Sequence, residues 1–207
     1  MPECRMAVVE EIYQNYEIGE MLSHKKAQKI RSKGAEILLT MMVGIMKIRN
    51  KKGPSFSGKE NEIFSKFFTQ SMALFHEDRW VIRKLCAEKL EALGLEFSQP
   101  EIDLVLSKEV CELMEDEDII VKTQALVSLF GLVYVKEAPV FDPAIMAKAV
   151  VKNIEQIMDK VSDDEDSQVK LSREIGKIAY AMHKFYPDVF AQVSQDLARF
   201  FTACFLD

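Results

Sequence analysis

The fold is indicated most clearly by residues 115–130, which read EDEDIIVKTQALVSLF. The acids form a turn, and Val121 then opens a pattern in which Ala125 and Leu129 follow at equal intervals. This spacing places the three residues on one face of an α-helix, and the small Ala125 side chain lets a neighbouring helix approach closely. Acids ahead of a helix accept bonds from its free N–H groups. The stretch therefore predicts an amphipathic helix that follows an acidic turn.

The same opening recurs along the chain. In three segments a β-branched residue and a base are followed by a small residue and a leucine at the spacing seen after Val121. In the fourth segment the apolar stripe runs instead through Leu171, Ile175 and Ile178. Acidic turns precede three of the segments, and another amphipathic stretch precedes each acidic turn. The repeating unit is helix, acidic turn, helix, and its four openings are Ile30-Arg31, Ile82-Arg83, Val121-Lys122 and Val169-Lys170.

The repeat interval is about 40 to 50 residues, which is the interval of the helical pairs called HEAT or armadillo repeats. No stretch alternates in period two for long enough to predict a strand, and the Pro and Gly residues lie between helical blocks. We therefore predict an all-α fold, an α-solenoid of HEAT/armadillo-type repeats that forms a single array over residues 1–207. The approximate repeats are 1–49, 60–94, 99–136 and 143–185, with a final helix at 188–206 and an exposed loop at 50–59.

Composition and charge restrict the classes of partner. The chain has a formal net charge of -6 and a pI of about 5.3, so it lacks the basic surface that nucleic acids require. The longest apolar run, residues 37–46, is about half the roughly 20 residues that cross a bilayer. The four cysteines form no CxxC pair, and acids stand where a secretory signal carries bases. We expect a cytoplasmic protein that binds neither nucleic acid nor membranes.

No motif in the sequence predicts catalysis. Residues 53–59 have the spacing of a phosphate-binding loop, but Glu60 stands where that motif needs Ser or Thr to hold magnesium. The acidic runs lack the glycine and the alternating ligands of a calcium loop. His24, His76 and His183 are isolated from one another in the sequence, whereas a metal site or a catalytic base needs partners. We predict a protein that is not an enzyme, with no catalytic, cofactor-binding or metal-binding residues.

The turns between paired helices are the predicted contact surface, because helical-repeat proteins present such rows of acids and bases to protein partners. Trp80 lies at one of these turns, where an aromatic side chain commonly packs between repeats and otherwise stands exposed as a binding anchor. The final helix is strongly apolar with no polar helix after it to cover it, so we expect either that the chain is part of a longer array or that this helix docks onto a partner, including a second copy of the chain. The predicted partner-binding residues are Asp78, Arg79, Trp80, Arg83, Asp118, Lys122, Asp166 and Lys170.

The chain resembles the HEAT-repeat regulatory and scaffold subunits of the phosphatase 2A-like phosphatases, in particular those of protein phosphatase 4. The resemblance covers most of the chain in the family's order, and it implies a cytosolic, non-catalytic subunit that holds a Ser/Thr phosphatase catalytic subunit by its turns. The stretches that carry it are Lys29 to Arg31 with Glu36 to Leu38, the helix after Glu77-Asp78, Val110 to Asp116 with Val121-Lys122, and Glu165 to Ser167 with Leu171 to Lys177.

A second interpretation also starts from a resemblance. Trp80 followed by Val81 and Arg83 at a turn is similar to the TOG-type HEAT arrays that bind tubulin and microtubules. The acidic balance of the chain argues against it, because tubulin is itself acidic and such turns are usually basic. Another helical-repeat adaptor is the remaining alternative for a non-catalytic protein.

Overall fold

The computed structural model describes residues 24–160 and 165–205, and all of the regular secondary structure in these two ranges is helical. The predicted all-α fold is therefore confirmed, while the α-solenoid arrangement of HEAT repeats stays a prediction. The main helices are α1 His24–Lys52, α2 Gly58–Ala73, α3 Trp80–Glu96, α4 Ser107–Met114, α5 Ile119–Lys136, α6 Lys152–Lys160, α7 Glu165–Phe185 and α8 Pro187–Phe205.

The ends of the predicted ranges fall within a few residues of helix ends, while the repeats themselves stay a prediction. The units 60–94, 99–136 and 143–185 correspond to α2 with α3, to the helices up to the end of α5, and to the helices up to the end of α7. The first part of repeat 1–49, the acids at 163 and 164 and the end of the final helix at 206 lie outside the described residues. The described structure divides into two compact units, with the boundary after Cys86 inside α3, and the single array over residues 1–207 stays a prediction.

In the first unit, α1 packs against α2 over an apolar core that contains Leu39, Met42, Met46 and Phe67. The expected loop at 50–59 is much shorter than predicted. Helix α1 continues to Lys52, a 3-10 turn covers Gly53–Ser55, and α2 already begins at Gly58. The residues there are mostly exposed, as expected, but only two of them lie outside a helical turn.

The stretch that imitates a phosphate-binding loop is a helix cap. The Ser57 hydroxyl accepts a bond from the Glu60 N–H, and the Glu60 carboxylate accepts a bond from the Ser57 N–H, which together form a capping box. Bonds from Lys52 and then from Ser57 lower the pKa of Glu60 to about 2. The residue that excluded nucleotide binding in the sequence therefore has a structural role at the start of α2.

In the second unit, α5 packs against α4, α6 and α7, and α8 packs against α6 and α7. Helices α4 and α6 of this unit are preceded by the same kind of segment. A short turn with a proline leads into a π-helical segment, Ile102–Leu106 before α4 and Ala147–Val151 before α6. Residue spacing alone does not predict this shared irregularity.

Tyr186 fixes the connection between α5 and α6 to the corner between α7 and α8. Its side chain is 2% exposed, its hydroxyl accepts a bond from the Phe141 N–H at 2.9 Å, and it donates to the Phe141 carbonyl at 3.1 Å. Burial raises the pKa of Tyr186 to about 12, so the phenol keeps the proton that it donates.

The apolar face of helix α8 is covered by other helices of the second unit. Val189, Val193, Leu197 and Phe200 are all nearly inaccessible, whereas the opposite face carries Gln192 and other polar residues. The expectation of an uncovered apolar helix is therefore wrong for these four side chains, because α6 and α7 pack against them. Self-association through α8 stays a prediction, and these four buried side chains do not support it.

By length and composition, α5 is the one described helix that could cross a membrane. Within this fold 61% of that window is buried, which is the pattern of a core helix surrounded by protein. Most of its apolar side chains face α4, α6 and α7.

Candidate partner-binding surfaces

The turn before α3, in the first unit, holds four of the predicted contact residues. One guanidinium nitrogen of Arg83, Nη1, donates to the carbonyl oxygens of Glu77 at 2.8 Å and Asp78 at 2.7 Å, so this base closes the turn. Asp78 itself is exposed and Arg79 is half-buried. Trp80 is 40% exposed at the first position of α3, which favours the exposed alternative over complete burial between repeats.

The acidic turn before α5 is used within the protein. The Asp118 carboxylate accepts a bond from the Ile120 N–H at 2.9 Å and caps the helix, as the sequence predicts. Asp116 accepts a bond from the Asp118 N–H at 2.8 Å. Glu115 pairs with Lys152 on α6 at 3.2 Å, and this partner lowers the pKa of Glu115. Asp118 is half-buried and serves the turn itself.

Lys122 is not on the surface. It is 6% exposed, and its ammonium group donates to the side-chain oxygens of Asn153 at 3.2 Å and Gln156 at 2.7 Å. Burial lowers the pKa of Lys122, and the Asp116 carboxylate opposes this change. The prediction that Lys122 meets a partner protein is therefore corrected: its long side chain reaches from α5 to α6 and joins two helices of the fold.

Lys170 has a similar role between later helices, with more exposure. Its ammonium group donates to the Gln124 side chain on α5 and lies 4.0 Å from the Glu88 carboxylate on α3. Asp166 is exposed near the start of α7. Lys122 and Lys170 thus connect neighbouring helices, and Arg83 closes its own turn. The exposed members of the predicted set are Asp78, Trp80 and Asp166.

A surface that the sequence analysis missed lies on the second unit, where α5 and α7 run side by side. The rings of Tyr134 and Tyr180 meet edge to face with centroids 5.7 Å apart, yet both residues remain exposed, at 42% and 48%. Val135, the residue after Tyr134 in α5, is 53% exposed. We call the set Tyr134, Val135, Tyr180 and Lys184 the tyrosine surface.

Lys184 holds one side of the tyrosine surface in place. Its ammonium group donates to the Tyr180 hydroxyl at 3.0 Å and lies 5.3 Å from the centroid of the Tyr180 ring. The bond to Tyr180 raises the pKa of Lys184, so the positive charge persists. Ordered aromatic rings beside a fixed charge lose little conformational freedom on binding a partner.

A charged row adjoins the tyrosine surface. Lys177 pairs with Glu174 at 2.7 Å on α7, and Glu91 of α3 lies against α5 at Gly131, where a Cβ atom would stand 2.4 Å from its carboxylate oxygen. Burial raises the pKa of Glu91, and the Lys177 ammonium opposes this change. Gly131 therefore makes room for a carboxylate, and acid and base alternate where α3, α5 and α7 come together.

Exposed tyrosines and aliphatic side chains with a charged border are typical of a protein-binding surface. Part of the signal for this surface was present in the sequence, because Tyr134 and Val135 are two large apolar residues near the end of a helix that is apolar along most of its length. To locate the surface, one must also know that α5 packs against α7, and residue spacing does not show which helices become neighbours. Comparisons with protein families, with curated proteins and with solved structures found no match for this chain.

Proposed function

We propose that the chain is a non-catalytic scaffold or regulatory module that binds another protein through the tyrosine surface. The observation that supports this most strongly is the exposed Tyr134 and Tyr180 pair, with the exposed Val135 next to Tyr134 in α5. Tyrosine is enriched among the residues that dominate binding energy, because it combines a large apolar area with a polar hydroxyl and few rotatable bonds.

The partner that we propose is a Ser/Thr phosphatase catalytic subunit. This choice rests on the resemblance of the turn and helix stretches to HEAT-repeat phosphatase subunits, and the all-helical fold is compatible with it. The contact surface differs from the one expected at the turns, since Arg83, Lys122 and Lys170 are used in bonds within the fold. The helix faces that carry the tyrosines leave their side chains accessible.

The direct test is a binding titration of the complete chain with a purified phosphatase 2A-like catalytic subunit, followed by biolayer interferometry. The double variant Tyr134→Ala/Tyr180→Ala removes both rings from exposed positions. We expect it to weaken binding at least about tenfold, because truncation of two central aromatic contacts commonly costs that much. Circular dichroism of the variant checks that its helix content is unchanged.

Leu104→Ala is the matched control. Leu104 is 79% exposed, so its truncation also removes apolar surface, but it lies on the π-helical segment before α4. Binding should be unchanged in this variant. Equal loss in both variants, or no loss in the double variant, would contradict the assignment to the tyrosine surface. Absence of binding at micromolar concentration, or tight binding to tubulin instead, would contradict the phosphatase proposal.

A further inference from the structure

Helix α1, in the first unit, presents apolar residues on two opposite faces. One face forms the core and contains Ala35, Leu39, Met42 and Met46. On the other face Ile30, Ile37 and Ile48 are 38%, 40% and 40% exposed. A surface helix ordinarily has polar residues opposite its buried stripe, so this second apolar stripe has no explanation within the described fold.

The spacing of the second stripe is regular. The intervals alternate between four and three residues through the whole helix, which is the heptad pattern of a helix that pairs with another helix. The intervening members are half-buried, and a Cβ atom added at Gly44 would meet nothing within 4 Å, so that position is open to an approaching chain. We call this set the outer stripe: Ile30, Gly34, Ile37, Met41, Gly44 and Ile48.

The surroundings of the outer stripe are strongly basic. Helix α1 carries nine basic residues and one acid, Glu36, although the chain as a whole is acidic. Lys33 and Lys47 immediately precede members of the stripe and are exposed, as are Lys29 and Lys51 nearby. Lys33 pairs with Glu36 at 2.6 Å. Apart from Glu36, every acidic or basic residue of α1 is basic.

We infer that the outer stripe of α1 binds an acidic amphipathic helix of a partner protein. Apolar side chains of that helix would pack onto Ile30, Ile37 and Ile48, and the glycines would allow the two backbones to approach closely. Glutamates beside the apolar positions of the partner would lie near Lys33 and Lys47, which hold the positions that select partners in paired helices.

The same features disfavour other occupants. A second copy of the chain would bring a second basic α1 against the first and place Lys33 and Lys47 against like charges. A lipid surface needs a broad apolar face, whereas this stripe is narrow and is interrupted by Gly34 and Gly44. A nucleic acid would be bound through its phosphates, which have no use for a continuous row of isoleucines.

The test uses two fluorescein-labelled synthetic helical peptides with the complete chain. Both peptides carry leucine at the heptad core positions; one has glutamates at the flanking positions and the other has lysines there. Fluorescence anisotropy should show that the acidic peptide binds at least about tenfold more tightly than the basic peptide. The difference should shrink as salt concentration rises, because exposed charges are screened.

Variants locate the binding on α1. Ile37→Gln/Ile48→Gln changes two exposed side chains and should weaken binding of the acidic peptide at least about tenfold, while Leu104→Gln, a change at a more exposed apolar residue of the second unit, should leave it unchanged. Lys33→Gln/Lys47→Gln should reduce the preference for the acidic peptide without abolishing the contribution of the leucines. Melting curves of each variant verify folding.

Several outcomes would overturn the inference. Equal binding of the two peptides, or none at micromolar concentration, would remove the proposed charge recognition. Stronger binding to vesicles of anionic phospholipid than to the acidic peptide would assign the stripe to a membrane surface. Concentration-dependent dimerisation that Ile37→Gln/Ile48→Gln abolishes would assign it to a second copy. Peptide binding that appears only after deletion of residues 1–23 would assign it to the chain's own N-terminal segment.

Discussion

Helices α5 and α7 begin with the same pair of residue types and have different surroundings. In α5, Val121 is inaccessible and Lys122 is 6% exposed, whereas in α7 Val169 is 41% exposed and Lys170 is half-buried. Helix α5 has α4, α6 and α7 around it, while α7 packs chiefly on α5 and α8. The difference shows that a local pattern predicts a helix and its period, but the number of neighbouring helices decides how many of its faces are buried.

The lysines near the starts of α5 and α7 also differ in how deeply they are buried. The Lys122 ammonium group donates to two side-chain amide oxygens inside the fold. The Lys170 ammonium group, nearer the surface, donates to one side-chain amide oxygen and pairs with one carboxylate. In both cases the ammonium group joins neighbouring helices. The sequence pattern predicted that these lysines would contact a partner protein. In the structure they instead form hydrogen bonds between neighbouring helices.

Matched truncation of the two valines should give the largest difference between the helices. Val121→Ala removes two methyl groups from a fully buried site, so we expect a loss of about 2–3 kcal/mol from lost burial and the cavity that remains. Val169→Ala should change stability by less than about 0.5 kcal/mol, because its side chain is exposed. Urea denaturation followed by circular dichroism measures both. Similar losses in the two variants would contradict the different surroundings of α5 and α7.

Truncation of the two lysines should give a smaller difference in the same direction. Lys122→Ala leaves the Asn153 and Gln156 oxygens without their donor, so we expect a loss of about 1–3 kcal/mol. Lys170→Ala removes a partly exposed interaction and should cost less than about 1 kcal/mol. The same urea titrations apply. Lys122→Met keeps the apolar stem, and a stability equal to the wild type would mean that the ammonium bonds contribute nothing.

The sequence correctly predicted which side chains are buried in helices that have a single apolar face. Ile82, Cys86 and Leu90 are all buried in α3, and Leu171, Ile175 and Ile178 are buried in α7 as predicted. Most of the methionines at helical spacing are also in the core. In these helices the period alone identifies the inward face, because the opposite face is polar.

The same argument failed in α1, and the reason is physical. The sequence assigned Ile30, Gly34 and Leu38 to one buried face, but Ile30 is exposed while Arg31, Ala35 and Leu38 are buried. Because α1 is apolar on both sides, spacing does not distinguish the core face from the outer stripe. The exposure of Trp80 and the pairing of Tyr134 with Tyr180 likewise depend on which helices become neighbours, which a single sequence does not determine.

The glycines of the two helices test the comparison with the smallest expected effects. Gly176 in α7 has open space around it, so Gly176→Ala should stabilise the protein by about 0.5–1 kcal/mol through reduced freedom of the unfolded chain. In α5 the same change at Gly131 would push the Glu91 carboxylate away from its position, so the gain should be absent or reversed. Thermal unfolding of both variants measures the difference.

A double-mutant cycle separates the two contributions at Gly131. In a Glu91→Ala background the carboxylate is gone, so Gly131→Ala should recover a gain close to that of Gly176→Ala. Recovery would show that Gly131 is required by its neighbour on α3 rather than by the backbone of α5. Continued destabilisation in that background would mean that α5 itself does not tolerate a side chain there, and that the closeness of α3 is not what distinguishes the two helices.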